Sequence, residues 1–288
     1  MTNIGNIEIQ DLFVGSNNAV GLYQGAVVVW EKSAPLGDWL CFTAQEANST
    51  IRLDKVGTPD AISLETSTDG VTWTDYGWTS NTGDTLTMTN IGDKVYVRAK
   101  TDNQTIGSST SNYYKFVGTG LFGASGNIQS LLNKYGSRTD APSSCYRQLF
   151  KNCTSLTSAP ELPATTLGDS CYVYMFDGCT SLTTAPELPA TTLAITCYGY
   201  MFQNCTSLTQ APELPATTLV YGCYRDMFHG CSGLSSITVG FSDWQSTNTP
   251  TTSWVTGVAA SGEFNCPSTL PDTRGTSNIP TGWTKVAA

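Results

Sequence analysis

The sequence predicts a multidomain protein: an all-β N-terminal half, then an α/β solenoid of 26-residue repeats closed by a C-terminal cap. Three observations predict it. Residues 34–117 alternate polar and apolar side chains in period two, a 26-residue period runs without insertion from Cys145, and the composition is that of a loop-rich β protein. Only 13% of the 288 residues are charged, while Ser and Thr together fill roughly a quarter of the chain. Low charge and many hydroxyls suit short strands, frequent turns and a neutral surface.

Residues 1–33 hold the extended runs IEIQDLFVG and GLYQG–AVVVW between Asn- and Gly-rich turns, which reads as a β hairpin. Residues 34–117 contain seven short strand patterns (WLCFTA, TIRLDKV, AISLETS, VTWTDY, DTLTMTNI, KVYVRAK and YYKFVG) separated by turn signals. That spacing predicts an immunoglobulin-like or jelly-roll sandwich. Ser67–Trp73 comes within one residue of a sialidase Asp-box, but an Asp69-Gly70 turn before a core Trp73 accounts for it without sugar chemistry. Residues 118–234 form the repeat domain, opening with a cap in which GNIQSLLNKYG predicts an amphipathic helix. Residues 235–288, with Trp244, Trp254, Phe264 and Trp283 among turns, close its far end.

The repeats begin at Cys145, Cys171 and Cys197, with a degraded fourth copy at Cys223, and eight of the ten cysteines fall in two columns. Within C-Y-x-x-[LM]-F-x-x-C, positions 1, 2, 5, 6 and 9 are apolar, an arc of about 140° at 100° per residue, which predicts a two-turn helix. Position 8 is Asn152, Gly178, Asn204 or Gly230, residues that tolerate the left-handed end of a helix. The prolines of T-S-L-T-x-A-P-E-L-P then enforce extended chain, with Leu at positions 12, 18 and 23 pointing inward. The cysteines read as buried free thiols: no CxxC pair offers a metal site, and on a helix the two columns lie about 12 Å apart, too far for a disulfide.

The phrase [LM]-F-x-x-C-T-S-L-T-x-A-P-E-L-P resembles the BspA-type leucine-rich repeat over residues 145–234. The resemblance implies an α/β leucine-rich-repeat solenoid and a binding scaffold, of the kind carried by surface proteins of host-associated bacteria and proteins of their phages. The period of 26 exceeds that family's usual length, and P-E-L-P replaces its β-branched strand. Near the N-terminus, Val14, Gly15, Ala19, Val20, Tyr23, Gly25, Val28, Val29 and Trp30 resemble N-terminal segments of phage tail and virion proteins. That likeness implies docking to other virion proteins through Val14, Gly15, Tyr23, Gly25, Val28 and Trp30.

A net charge of −9 with no run of Lys or Arg argues against nucleic acid and against anionic membranes. No apolar stretch reaches the ~20 residues of a bilayer span, and the first 20 residues lack the pattern of a secretory signal. No nucleophile, metal or phosphate-loop motif appears, so neither enzyme activity nor a cofactor is expected. His229, the one histidine, shares its repeat position with Lys151, Asp177 and Gln203, which marks a solvated position rather than a catalytic slot. Glu161, Glu187 and Glu213 repeat identically, giving no reason for one carboxyl to become an acid and another a base. Variation gathers at positions 3, 4 and 7 and at positions 24–26 (GDS, AIT and VYG), and the candidate ligand contacts are Arg147, Tyr174, Asp177, Tyr200, Gln203, Arg225 and His229.

The functional expectation is a non-enzymatic phage virion protein, a tail or head fibre or decoration protein made in the host cytoplasm. It would present its repeat surface to a host-surface glycan or protein and hold to the particle by its N-terminal segment. The alternative is a bacterial cell-surface adhesin of the same repeat family. A carbohydrate-active enzyme is a remote third, needing a cleft of divergent carboxylates. A homo-oligomer is compatible with the sequence, although no coiled-coil heptads support a fibre trimer.

Overall fold

A computed structural model describes Thr2–Ile4, Ile7–Ile9 and residues 39–287. The chain divides into two compact units, Met1–Leu36 and Gly37–Ala288. In the first, β1 (Thr2–Ile4) pairs antiparallel with β2 (Ile7–Ile9). The docking segment expected at residues 14–30 lies outside the described residues.

The second unit opens with ten antiparallel strands cut by Gly and Asp turns. They are β3 (Leu40–Ala44), β4 (Ser49–Val56), β5 (Leu64–Ser67), β6 (Thr74–Asp75), β7 (Trp78–Thr79), β8 (Thr82–Gly83), β9 (Leu86–Met88), β10 (Lys94–Ala99), β11 (Tyr113–Thr119) and β12 (Phe122–Ser125). One sheet runs β12-β3-β10-β5-β6 and another β11-β4-β9, with β7-β8 a separate pair. Period-two alternation puts Ile51 and Leu53 of β4 and Phe116 of β11 inside, where Phe116 meets Phe42 of β3 at 4.9 Å between ring centres. Asp69 accepts from the amides of Val71 (2.8 Å) and Thr72 (2.7 Å), and Trp73 lies under the Arg98 guanidinium (3.6 Å) against Trp39 (5.0 Å). The Asp-box-like motif is therefore a turn that delivers an aromatic side chain to the packing.

The repeat region corrects the sequence reading. No α-helix forms among the described residues; the α/β leucine-rich-repeat solenoid is overturned by a structure that is almost all β and turn. The C-Y-x-x-[LM]-F-x-x-C segments are ribbons of overlapping turns. Ser144, Gln148 and Asn152 carry φ of 58°, 61° and 57°, so every fourth residue is left-handed, which no α-helix allows. The amides alternate in destination. Arg147, Lys151 and Cys153 donate three residues back, to Ser144, Gln148 and Phe150, whereas Tyr146, Gln148 and Phe150 donate to Cys171, Val173 and Met175 of the next repeat at 2.9–3.0 Å. No amide is left over for the four-residue bond of a helix.

Packing favours the ribbon. Tyr146, Tyr172, Tyr198 and Tyr224 stack at 5.5, 5.7 and 6.1 Å, and Phe150, Phe176, Phe202 and Phe228 at 5.4, 5.5 and 5.9 Å, with rings within 12° of parallel. Packed helices stand 8–10 Å apart and could not stack identical rings so closely, whereas hydrogen-bonded chains ~4.8 Å apart can. Leu156, Leu182 and Leu208 and, in the P-E-L-P segments, Leu162, Leu188 and Leu214 are buried as the pattern implied. All ten cysteines are free and buried. The thiols of Cys179, Cys205 and Cys231 donate to the carbonyls of Phe150, Phe176 and Phe202 in the preceding repeat, at 3.1, 3.1 and 2.9 Å.

The two halves share one continuous core reaching from Leu40 to Trp283. Phe116 stacks on Phe150 (5.1 Å, 21°), and β12 donates its Ala124 amide to Ser158 (2.9 Å), so the β half covers the first repeat directly. The helix expected in GNIQSLLNKYG shortens to one 3-10 turn, Ile128–Leu131, with Asn127 accepting from the Gln129 amide. Short parallel pairings link successive repeats: β13 (Asp140–Ala141) with β14 (Thr166–Leu167), then β15 (Ser236–Thr238) with β16 (Glu263–Cys266) and β17 (Thr284–Ala287). A further ribbon, hidden in PTTSWVTG, accepts from Tyr224, Asp226, Phe228 and Gly230 at Pro250, Thr252, Trp254 and Thr256.

Among the described residues three buried side-chain polar atoms lack a hydrogen-bond partner, the Nε of Arg147 and of Arg225 and the hydroxyl of Tyr172. The Tyr172 hydroxyl is buried with no hydrogen-bond partner, whereas Tyr146 donates to Gln129 Oε1 at 2.7 Å. An unsatisfied buried hydroxyl costs about 1–3 kcal/mol. Tyr172→Phe is therefore expected to leave stability unchanged or raise it by about 1 kcal/mol in urea unfolding, while Tyr146→Phe lowers it.

Candidate functional site

Position 4 of each ribbon is a left-handed corner, occupied by Gln148, Tyr174, Tyr200 and Asp226 with φ of 61°, 57°, 59° and 50°. A side chain in that conformation costs about 1–2 kcal/mol, offset here by amide bonds along the stack: Tyr174 to Gly199 O (3.1 Å) and Tyr200 to Arg225 O (2.8 Å). Gln148 is buried, its amide donating to Thr110 O at 3.3 Å from a loop of the β half. Tyr174 and Tyr200 are half-buried, their rings 4.4 Å apart and 18° from parallel.

Two cations sit over the far side of Tyr174. Lys151 Nζ lies 4.2 Å and the Arg147 guanidinium 5.7 Å from the ring centre. Lys151 pairs with the buried Asp177 at 2.9 Å, and Asp177 also accepts from Asn204 Nδ2 at 3.4 Å. Arg147 has no carboxylate partner among the described residues, and its buried Nε makes no hydrogen bond. Burial lowers its pKa below the ordinary arginine value, against the opposing pull of the Tyr174 and Tyr113 phenols. Burial raises the Tyr174 phenol, and Tyr200 beside it adds to the rise.

A second group follows on the other side of the pair. Arg225 faces Tyr200, whose phenol is the main cause raising the arginine above its ordinary value, with Asp226 and Tyr221 contributing. Asp226 lies 3.5 Å from Arg225 Nε and 3.3 Å from His229 Nδ1. Tyr221 and Ile195, at the variable end of the preceding repeats, are about half exposed. Gln203 is half-buried and contributes its carbonyl to the Gly178 amide at 2.8 Å.

The structure thus gathers Arg147, Tyr174, Tyr200 and Asp177 in one group and Arg225, Asp226 and His229 in the next. Positions 3, 4 and 7 are not a solvated helix face, because there is no helix to have a far side: Val173, Asp177 and Gly199 are buried. Lys151 as a ring-facing cation, and Tyr221, were not among the sequence candidates. The signal for Lys151 was present, since Lys151 and Asp177 occupy the same position in successive repeats and stacking in register makes them neighbours.

No family model, curated protein or solved structure matches this chain. Its chemistry is read from its own residues. Among the described residues, no cluster of His, Cys, Asp or Glu could hold a metal ion. Glu161 and Glu187 are exposed at a groove of about 560 Å³ floored by Pro160, Pro163, Pro186 and Pro189, and no cation pairs with either among the described residues. What the tyrosine face can do is donate hydrogen bonds and present positive charge.

Proposed function

We propose that this chain is a non-enzymatic virion adhesion protein that binds a host-surface glycan or protein through the tyrosine face of its repeats. The observation that carries the reading is the Tyr174–Tyr200 pair, half-exposed and flanked by Arg147, Lys151 and Arg225 on a repeated scaffold. The repeats keep their buried Cys, Tyr and Phe columns and vary at the half-buried Tyr174, Tyr200 and Arg225, within reach of a ligand. Ten unpaired thiols fit folding in a reducing cytoplasm, as a particle protein made inside its host would undergo. The likeness of residues 14–30 to virion N-termini supplies the anchor. Several copies on one particle would turn weak single contacts into strong attachment.

The test is location. Antibody raised against residues 145–234 should label purified particles from a lysate, with the chain present in their mass spectra, and the purified protein should bind host cells. Label on bacterial surfaces with none on particles would overturn the virion reading in favour of a cell-surface adhesin.

A further inference from the structure

Three of the four flat faces of the stacked tyrosines are covered. At 4.4 Å each ring covers the inner face of the other, and Lys151 covers the outer face of Tyr174. Edges, hydroxyls and the outer face of Tyr200 remain, so ring-on-ring packing with a neutral sugar has one ring face to hold. The surroundings are cationic instead. Arg147, Lys151 and Arg225 face two carboxylates, Asp177 and Asp226, which leaves an excess positive charge on a protein of net charge −9. Two cations share one ring at the head of the strip, and Arg147 there is unpaired. Like charges set side by side with one counter-ion between them call for an anion.

We infer that the strip from Arg147 through Tyr174 and Tyr200 to Arg225 binds an acidic oligosaccharide. A carboxylate or sulfate ester sits between Arg147 and Lys151, and a second anionic group lies on Arg225 beside Tyr221. The phenols of Tyr174 and Tyr200 donate to sugar oxygens between them. The two phenols select a glycan over an acidic protein surface: rings 4.4 Å apart lie between the cations, and a sugar chain carries hydroxyl and ring oxygens between its anionic groups where a row of carboxylate side chains does not. The inference rests on the proposed adhesion role and names its ligand class.

The full-length protein is titrated with an oligogalacturonate, a heparin oligosaccharide, a maltooligosaccharide of equal length and polyglutamate. At least tenfold tighter binding of the uronate or the sulfated sugar than of the neutral sugar and polyglutamate is expected, and the better of the two identifies the anion. Arg147→Gln should weaken it about tenfold, the loss of one charge-assisted contact of ~1.4 kcal/mol. Lys94→Gln, on the exposed end of β10, should change nothing. Near-UV circular dichroism checks that the aromatic stacks survive each substitution. Equal binding of the neutral sugar or of polyglutamate, or indifference to Arg147→Gln, overturns the inference. Host-cell binding that persists in any of those cases leaves the adhesion role standing; its absence removes both.

Discussion

Raising the pH from 8 to 10 in the presence of a reductant is expected to unfold the protein cooperatively. Burial pushes the thiols of Cys145, Cys153, Cys197 and Cys231 up to about 12 and that of Cys223 up to about 11. An unfolded thiol ionises near ~8.5. A folded pKa raised above the unfolded one gives stability that is complete below about pH 8.5 and lost as pH climbs towards the folded value, because only the unfolded chain releases the proton. At pH 10 each such thiol withdraws about 2 kcal/mol, and the five together on the order of 10 kcal/mol. That rivals the whole stability of an ordinary domain, ~5–15 kcal/mol. Cys171, Cys179 and Cys205 are raised in the same direction by burial and steepen the transition. Tryptophan fluorescence against pH reads the midpoint, and Cys223→Ala should move it upward although the variant is less stable at pH 7. A protein that stays folded to pH 10.5 would show that the thiols are not held protonated by burial.

The acid side runs the other way. Hydrogen bonds from the Thr72 and Val71 amides hold the Asp69 carboxylate well below the usual range, and hydrogen bonds from Arg138 and Arg274 lower Asp140 and Asp272 in the same direction. Depressed carboxylates contribute above the unfolded value of ~3.9 and lose that contribution as pH falls below it. The protein is therefore built for the interval between, with its steeper edge at high pH.

The residues of the repeat told their burial but not their backbone. Cys145, Tyr146, Leu149, Phe150 and Cys153 are all inside, as their pattern implied. Over nine residues a spacing of four is hard to tell from a helical 3.6, since the two drift apart by only 40° per turn. The distinguishing feature was that Cys145, Leu149 and Cys153 keep a strict period of four, as do Tyr146 and Phe150. Identical aromatic rings in every copy also imply stacking closer than helices permit. Asn152, Gly178, Asn204 and Gly230 were legible as left-handed, with φ of 57°, 75°, 59° and 78°, although they turn a ribbon rather than end a helix. Their alternation has its own cause. A Cβ on Gly178 or Gly230 would lie 2.4 Å from the Oδ1 of Asn152 or Asn204 in the repeat before it, so each Asn needs a Gly beneath. In the β half, period two and the turn residues gave the strands plainly, because half-buried sheets impose that alternation directly. The ribbon in PTTSWVTG was invisible, since it keeps the backbone path with none of the Cys, Tyr or Phe that mark its relatives. Of the candidate site, the tyrosine pair followed from repeat position alone. The burial of Asp177 and the unpaired state of Arg147 needed the packing.

Phe176→Ala should be among the most damaging single substitutions in the repeats, costing about 3–5 kcal/mol. Phe176 is fully buried at the middle of its column, 5.4 Å from Phe150 and 5.5 Å from Phe202, both nearly parallel to it. Truncation leaves a void that cannot close, because the backbone on either side is fixed by the bonds from Phe150 to Met175 O and from Phe176 to Met201 O, both 2.9 Å. Collapse into the void would break those bonds, so the cavity and its cost persist. Phe176→Leu refills most of the volume and should cost about 1 kcal/mol. Tyr200→Ala removes a ring that is only half-buried, and relief of its left-handed strain is not available to alanine, so its cost stays near 1 kcal/mol. Urea unfolding of the three variants gives the ordering directly. The contrast separates the inner phenylalanine column from the outer Tyr174–Tyr200 pair by purpose: if Tyr200→Ala proved as costly as Phe176→Ala, the outer tyrosines would be structural members of the stack, and the case for a binding face on them would fail with it.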